Sequence, residues 1–263
     1  MDLGLKGRTA IVCAASKGLG RACAEALAAE GVDLILNARS LGPLEATAAE
    51  IAKNHKVTVK IVAGDIGSAA IRDTLLAACP TPDILVNNAG GPSPGKLKSF
   101  TAEDWAKALN GNLRAPAAML AAVLDDMAVR GFGRVVNITS SVMRHPIDVQ
   151  GLSAAARAGL HGLVSTLVRE HVGRNVTINN ILPGPFATDR LISNFTVRAK
   201  QEGVSPEQAL AARRAGAAGQ AFWRAAGGRT ALRLPLQRAH RVHFGAEHFD
   251  RWRGPSPAPV VPR

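Results

Sequence analysis

The stretch CAASKGLGRA, residues 13–22, has the residue types and spacing of an anion cradle. It follows the apolar run TAIV and runs into an alanine-rich segment, so it sits in a strand–turn–helix unit. Gly18 and Gly20 let backbone amides come close to a pyrophosphate, and the helix N-terminus behind them favours its negative charge. Ala14 stands where such turns often carry a glycine. A second stretch, VMRHPIDVQG (142–151), brings His145 and Asp148 into one loop. Histidine titrates near neutral pH and is the commonest general acid or base, although a lone loop histidine can equally be a solvated residue. The chain has no tyrosine, so no phenol is available to exchange a proton. Cys13, Cys23 and Cys79 have no CxxC spacing. They are expected to be buried thiols rather than disulfides or metal ligands, and no metal is expected.

These residues need elements to position them. Short apolar runs at 9–15, 33–39, 57–65, 83–90, 133–141 and 176–184 alternate with helical patterns at 20–31, 41–55, 71–79, 102–131 and 153–173. Strands alternating with helices imply an α/β fold, a doubly wound parallel sheet of Rossmann type covered on both faces. One domain is expected over residues 1–205, binding a dinucleotide and carrying the reaction. Residues 206–263 form a basic, atypical tail.

The ordered set SKGLG (16–20), NNAG (87–90), NGN (110–112), NITSS (137–141), SAAARAGL (153–160) and LPGPFATD (182–189) resembles the short-chain dehydrogenase/reductase family over about residues 5–205. Within it, the likeness is greatest to reductases of 3-oxoacyl-carrier-protein type. The resemblance implies hydride transfer between a nicotinamide cofactor and a small-molecule carbonyl or alcohol. It maps the phosphate loop to Ser16, Gly18, Leu19 and Gly20. Asp65 is implied near the adenine, Asn88, Ala89 and Gly90 beside the ribose, and Pro183, Gly184 and Thr188 at the nicotinamide. Strand two ends in NARS, with no acidic residue to hold ribose hydroxyls. Lys17 and Arg39 put positive charge where a 2′-phosphate would lie, which favours NADP over NAD.

The catalytic half departs from the pattern. The family acts with Asn, Ser, Tyr and Lys. Asn112 and Ser140 match the first two, and the tyrosine position, 13 residues after Ser140, is Ser153. The lysine position is Arg157. A serine hydroxyl is far too weak an acid to replace a phenol unaided. Arg157 can hold the ribose and bias the field, but it does not readily release its proton. His145 and Asp148 lie in the loop that would border the substrate. The competing reading is a catalytically inactive dinucleotide-binding protein acting as a sensor or scaffold.

The net charge of +12 invites a nucleic-acid partner, but its distribution argues against one. Residues 1–204 hold 22 Lys+Arg against 17 Asp+Glu, whereas residues 205–263 hold 10 Arg, no Lys and 3 acids. The excess is concentrated in the tail. A mean hydropathy of +0.07, no apolar run of about 18 residues and no signal-like N-terminus imply a cytoplasmic protein off the membrane.

The tail itself lacks the family's closing helix and strand. A permissible coding sequence for VHFGAEHFDRWRG, shifted by one base, spells FISGQNILIDGG, which looks like that missing strand. The expectation is a frame slip near Arg214–Ala218, which reading the gene decides. With the last strand lost, the sixth would become a sheet edge exposing residues such as Ile181 and Leu182. A homodimer through the long helices after strands four and five is expected, with tetramer formation impaired. Residues 186–209 are expected to form the substrate lid.

Overall fold

The computed structural model describes residues 3–144, 146–184, 186–187, 199, 203–205, 207–208, 223–224 and 247–249. Six strands form the body of the sheet: β1 (Thr9–Val12), β2 (Asp33–Ala38), β3 (Val59–Ala63), β4 (Ile84–Asn87), β5 (Gly133–Ile138) and β6 (Val176–Leu182). Short β9 (Glu247–Phe249) joins them in the order β3-β2-β1-β4-β5-β6-β9, with every pair parallel. This is the doubly wound order, whose ligand crevice lies beyond the carboxyl ends of the strands. The β-branched runs behave as buried parallel strands should: every residue of β5 and β6 is buried.

Helices cover both faces. On one, α1 (Gly18–Ala29) and α2 (Leu41–Asn54) pack Cys23, Leu27, Leu44 and Ile51 against Val12, Leu34 and Val136. On the other, α3 (Ala69–Ala78), α5 (Ala115–Val129) and α6 (Gly151–His171) pack Met119, Val123, Leu160 and Val164 against Ile11, Leu85, Val135 and Ile178. Each core leucine or valine removed from water adds about 1.5–3 kcal/mol, so two such layers give the sheet most of its stabilisation.

The single long helix expected over 102–131 is broken. α4 (Ala102–Leu109) passes through a π-helical turn at Asn110–Arg114 before α5 begins. Pro116 has no N–H for the regular ladder, and Asn112 Nδ2 turns inward to donate to the Ala108 carbonyl at 3.2 Å. The start of α4 is closed by a reciprocal cap: Thr101 Oγ1 accepts from Asp104 N, and the Asp104 carboxylate accepts from Thr101 N.

An amide ladder crosses the sheet next to the crevice. Asn87, Asn137 and Asn180 stand in register on β4, β5 and β6. Asn87 donates to Asn137 at 2.9 Å, and Asn137 donates to Asn180 at 3.0 Å. On the opposite face of β6, the Asn179 amide and Thr177 hydroxyl are buried without a partner among the described residues.

Two expectations about the sheet's end are corrected. β6 is not an edge along its whole length, because Asn180, Ile181 and Leu182 pair with Glu247, His248 and Phe249. Ile181 and Leu182 are buried, at 4% and 1% exposure, rather than open to solvent. The short strand arises within the same VHFGAEHFDRWRG segment, from the frame as it stands. A second small pairing joins β7 (Phe186–Ala187) to β8 (Trp223–Arg224). The proposed frame-slip point, the position of the closing helix and most of the expected lid lie outside the described residues.

Candidate active site

The glycine-rich turn links the end of β1 to α1. Ala14 (φ 49°) and Gly18 (φ 60°) both lie in the left-handed region, which glycine enters freely and alanine only under strain. Gly20 is required for a different reason. A Cβ there would strike the Ala14 carbonyl and come within 2.9 Å of the Asn88 side chain. Ser16 and Lys17 precede α1, Lys17 as its N-cap, and Leu19 packs on the core. The turn is also approached from behind, where Thr47 Oγ1 on α2 lies 3.0 Å from the Ser16 carbonyl and 3.0 Å from the Pro43 carbonyl, sharing its one proton between them. Lys17 and Arg39 are both exposed at the mouth of this turn. Free first-turn amides, a small-residue cradle and two cations fit the phosphates of a dinucleotide.

Asp65 is exposed and spends Oδ1 on the Gly67 amide at 2.8 Å, closing the turn before α3. Asn88 and Ala89 line a recess with Cys13, Asn112, Thr139 and Arg157, and Gly90 follows at its rim. Burial pushes the Cys13 thiol up to about 12, outweighing a backbone hydrogen bond from Asn88. This thiol therefore stays protonated and is no nucleophile at neutral pH.

Of the four predicted catalytic residues, Asn112 and Arg157 line the recess, Ser153 is bonded to Arg157, and Ser140 follows the end of β5. Asn112, 6% exposed, sits in the π-helical turn and reaches the Gly90 carbonyl at 3.5 Å. Ser140 follows β5, and its Oγ accepts from Val142 N at 3.3 Å. Its neighbours fix its place: Thr139 N donates to Ile181 O at 2.9 Å, and Ser141 N to Pro183 O at 3.0 Å. Ser153 and Arg157 lie one turn apart on the buried face of α6. Arg157 Nε donates to Ser153 Oγ at 3.2 Å, and Nη1 donates to the Ile138 carbonyl at 3.0 Å.

Pro183 and Gly184 follow β6 at the same end of the sheet. Thr188 and His145 lie outside the described residues, and Asp148 is exposed. Sequence reasoning passed over Thr139 and His161. His161 is 7% exposed and lies 3.0 Å from Thr139 Oγ1 through Nε2. The available signal was the spacing Ser153, Arg157, His161, which puts three polar groups on one helical face.

Doubly wound topology, a glycine turn at the first crossover and a polar recess at the ends of β1, β4 and β5 together define a dinucleotide-binding α/β domain. A model of the short chain dehydrogenases matches residues 8–198, and the chain belongs to that family. It is 35% identical over 187 residues to the 3-oxoacyl-[acyl-carrier-protein] reductase FabG of Vibrio harveyi, covering 71% of this chain and 77% of that protein. It is 30% identical over 210 residues to the D-beta-hydroxybutyrate dehydrogenase of Cupriavidus necator, covering 78% and 81%. Among solved structures, a 3-oxoacyl (acyl-carrier-protein) reductase of Agrobacterium tumefaciens with NADP bound superposes with a TM-score of 0.83 at 31% identity, covering 94% of each chain. L-sorbose reductase of Gluconobacter frateurii, complexed with NADPH and L-sorbose, shares the fold with a TM-score of 0.86 at 24% identity, covering 95% of this chain and 97% of that one.

Proposed function

We propose that this chain is an NADP(H)-dependent oxidoreductase acting on a small carbonyl or alcohol. The observation that carries the reading is the convergence of Arg157, Asn112 and Asn88 on one recess beside a glycine turn that admits phosphates. Ser16, Gly18, Leu19 and Gly20 would hold the pyrophosphate, and Lys17 and Arg39 a 2′-phosphate. Asp65, Asn88, Ala89 and Gly90 would flank the adenosine and ribose, with Pro183, Gly184 and Thr188 at the nicotinamide. The same kind of cofactor is bound by the Agrobacterium relative. Once bound, NADP(H) supplies or accepts the hydride.

The protein's own residues would then handle the substrate oxygen. A guanidinium donates but never accepts, so Arg157 makes Ser153 Oγ an acceptor on one side. The Ser153 proton is left to donate elsewhere, and the substrate oxygen is the partner this polarity suits. Ser140 offers a second hydroxyl from the β5 end. Two hydroxyls can polarise a carbonyl and hold an alkoxide, but neither is acidic enough to deliver a proton like a phenol. The proton is therefore taken from solvent or substrate, which makes the reaction slow. Residues 1–205 would carry this chemistry, residues 206–263 would lie outside it, and two copies would pair through α5 and α6 in the cytoplasm.

The substitution of serine and arginine at the two proton-handling positions favours a second reading, a dinucleotide-binding protein without turnover. Calorimetric titration with NADPH and NADH, followed by an NADPH-oxidation assay over a panel of ketones, separates them. Tight NADPH and weak NADH binding with slow oxidation supports the enzyme. Binding without oxidation supports the sensor, and binding of neither cofactor overturns both.

A further inference from the structure

α6 is fastened to the end of β5 at two successive residues. Arg157 donates to the Ile138 carbonyl at 3.0 Å. One turn further along the same buried face, His161 Nε2 meets Thr139 Oγ1 at 3.0 Å. Thr139 Oγ1 also lies 2.9 Å from the Ile181 carbonyl. The resulting chain, His161 to Thr139 to Ile181, ties three elements together. It ends on β6 two residues before Pro183, and it passes through the residue just before Ser140.

We propose that His161 is a positioning residue that sets the distance between Ser140 and the Ser153–Arg157 pair. The proposal rests on the oxidoreductase reading given above. Core packing of Leu160 and Val164 seats α6 on the sheet, and Arg157 and His161 add two directional contacts that fix its register against the end of β5. Ser140 is already held along the strand by the Thr139–Ile181 and Ser141–Pro183 backbone bonds. His161 then fixes the helix against that held strand. This matters because reacting groups displaced by about 1 Å can lose a hundredfold in rate.

The test uses the full chain with three substitutions: His161→Leu, His161→Gln and Thr139→Val. Glutamine keeps a hydrogen-bonding amide near the position of Nε2, leucine does not, and valine removes the Thr139 hydroxyl without touching α6. Two quantities are read in folded protein: kcat and KM for NADPH-dependent ketone reduction, and hydrogen exchange of the amides at 139 and 141. His161→Leu and Thr139→Val are expected to lower kcat by about tenfold or more, with the NADPH KM moving less than about threefold. Both should speed exchange, and His161→Gln should restore both readouts to near the parent values. Equal losses for leucine and glutamine, or a leucine variant with the parent kcat, overturn the proposal. If the parent chain reduces no ketone, the oxidoreductase reading fails and exchange alone decides. Faster exchange in the leucine variant but not in the glutamine variant then upholds the brace, and matched rates refute it. Should His161→Leu fail to fold, Thr139→Val against the parent gives the same contrast.

Discussion

The half of the crevice built from β1, β2 and α1 differs from the half built from β5, β6 and α6. In the first, small residues and backbone geometry do the work: Gly20 has no room for a side chain, and Gly18 turns through the left-handed region. In the second, side-chain chemistry must do the work, and the groups present are two hydroxyls, an amide and a guanidinium that stays charged. A dinucleotide cradle depends on shape, so substitutions show as clashes. Proton transfer depends on acidity, so a site can keep its shape and still lose its rate. On the reading proposed above, this contrast would let cofactor binding and turnover part company in one fold.

The largest effect should come from restoring acidity. The double substitution Ser153→Tyr with Arg157→Lys is expected to raise ketone reduction by about 10² to 10⁴, measured as kcat/KM, while NADPH affinity stays near that of the parent. An unchanged rate would mean that the proton does not limit the reaction. Next, Lys17→Ala and Arg39→Ala should each weaken NADPH binding on the order of tenfold by removing a charge-assisted contact. NADH binding should be unmoved, and calorimetry with both cofactors checks the pair.

Ala14→Gly should relieve the strained turn and raise stability by about 0.5–1 kcal/mol in denaturant unfolding. A loss instead would show that the Ala14 methyl packs usefully. The smallest effect concerns the α4 cap. Backbone and side-chain hydrogen bonds from Thr101 hold the exposed Asp104 carboxyl below its ordinary 3.8. A lowered value stabilises the fold above that ordinary pKa, and the contribution is lost as pH falls through the folded one. Asp104→Asn should therefore flatten the acid limb of the stability curve.

The phosphate turn was legible in the sequence because glycine positions report backbone geometry directly. So were β4 and β5, whose ILVN and GRVVNI runs carry β-branched residues buried on both faces. β1 ends at Val12, short of the apolar run's end at Ala15, because Ala14 already belongs to the turn. The break in the 102–131 helix was hidden: Asn112 and Pro116 disrupt a ladder whose apolar periodicity continues through them. β9 was not legible either, since Glu247, His248 and Phe249 have no alternating pattern and pair only because β6 offers them an open ladder. His161 and Thr139 escaped notice because a histidine's meaning depends on a strand 22 residues away.

The three asparagines that cross β4, β5 and β6 act as a combination lock on strand alignment. Each amide donates to the next in one direction, so sliding any one strand by a residue would strand buried donors and acceptors, at about 1–3 kcal/mol for each. Parallel strands joined through long crossovers form late and can settle out of alignment. Here a misaligned sheet is penalised at three adjoining positions at once. The same coupling makes these positions resistant to change one at a time. An apolar residue at Asn137 alone should be costly, whereas replacing all three together removes the polar row and its penalty in one step. Tolerated variation along this row is therefore expected to come as a set.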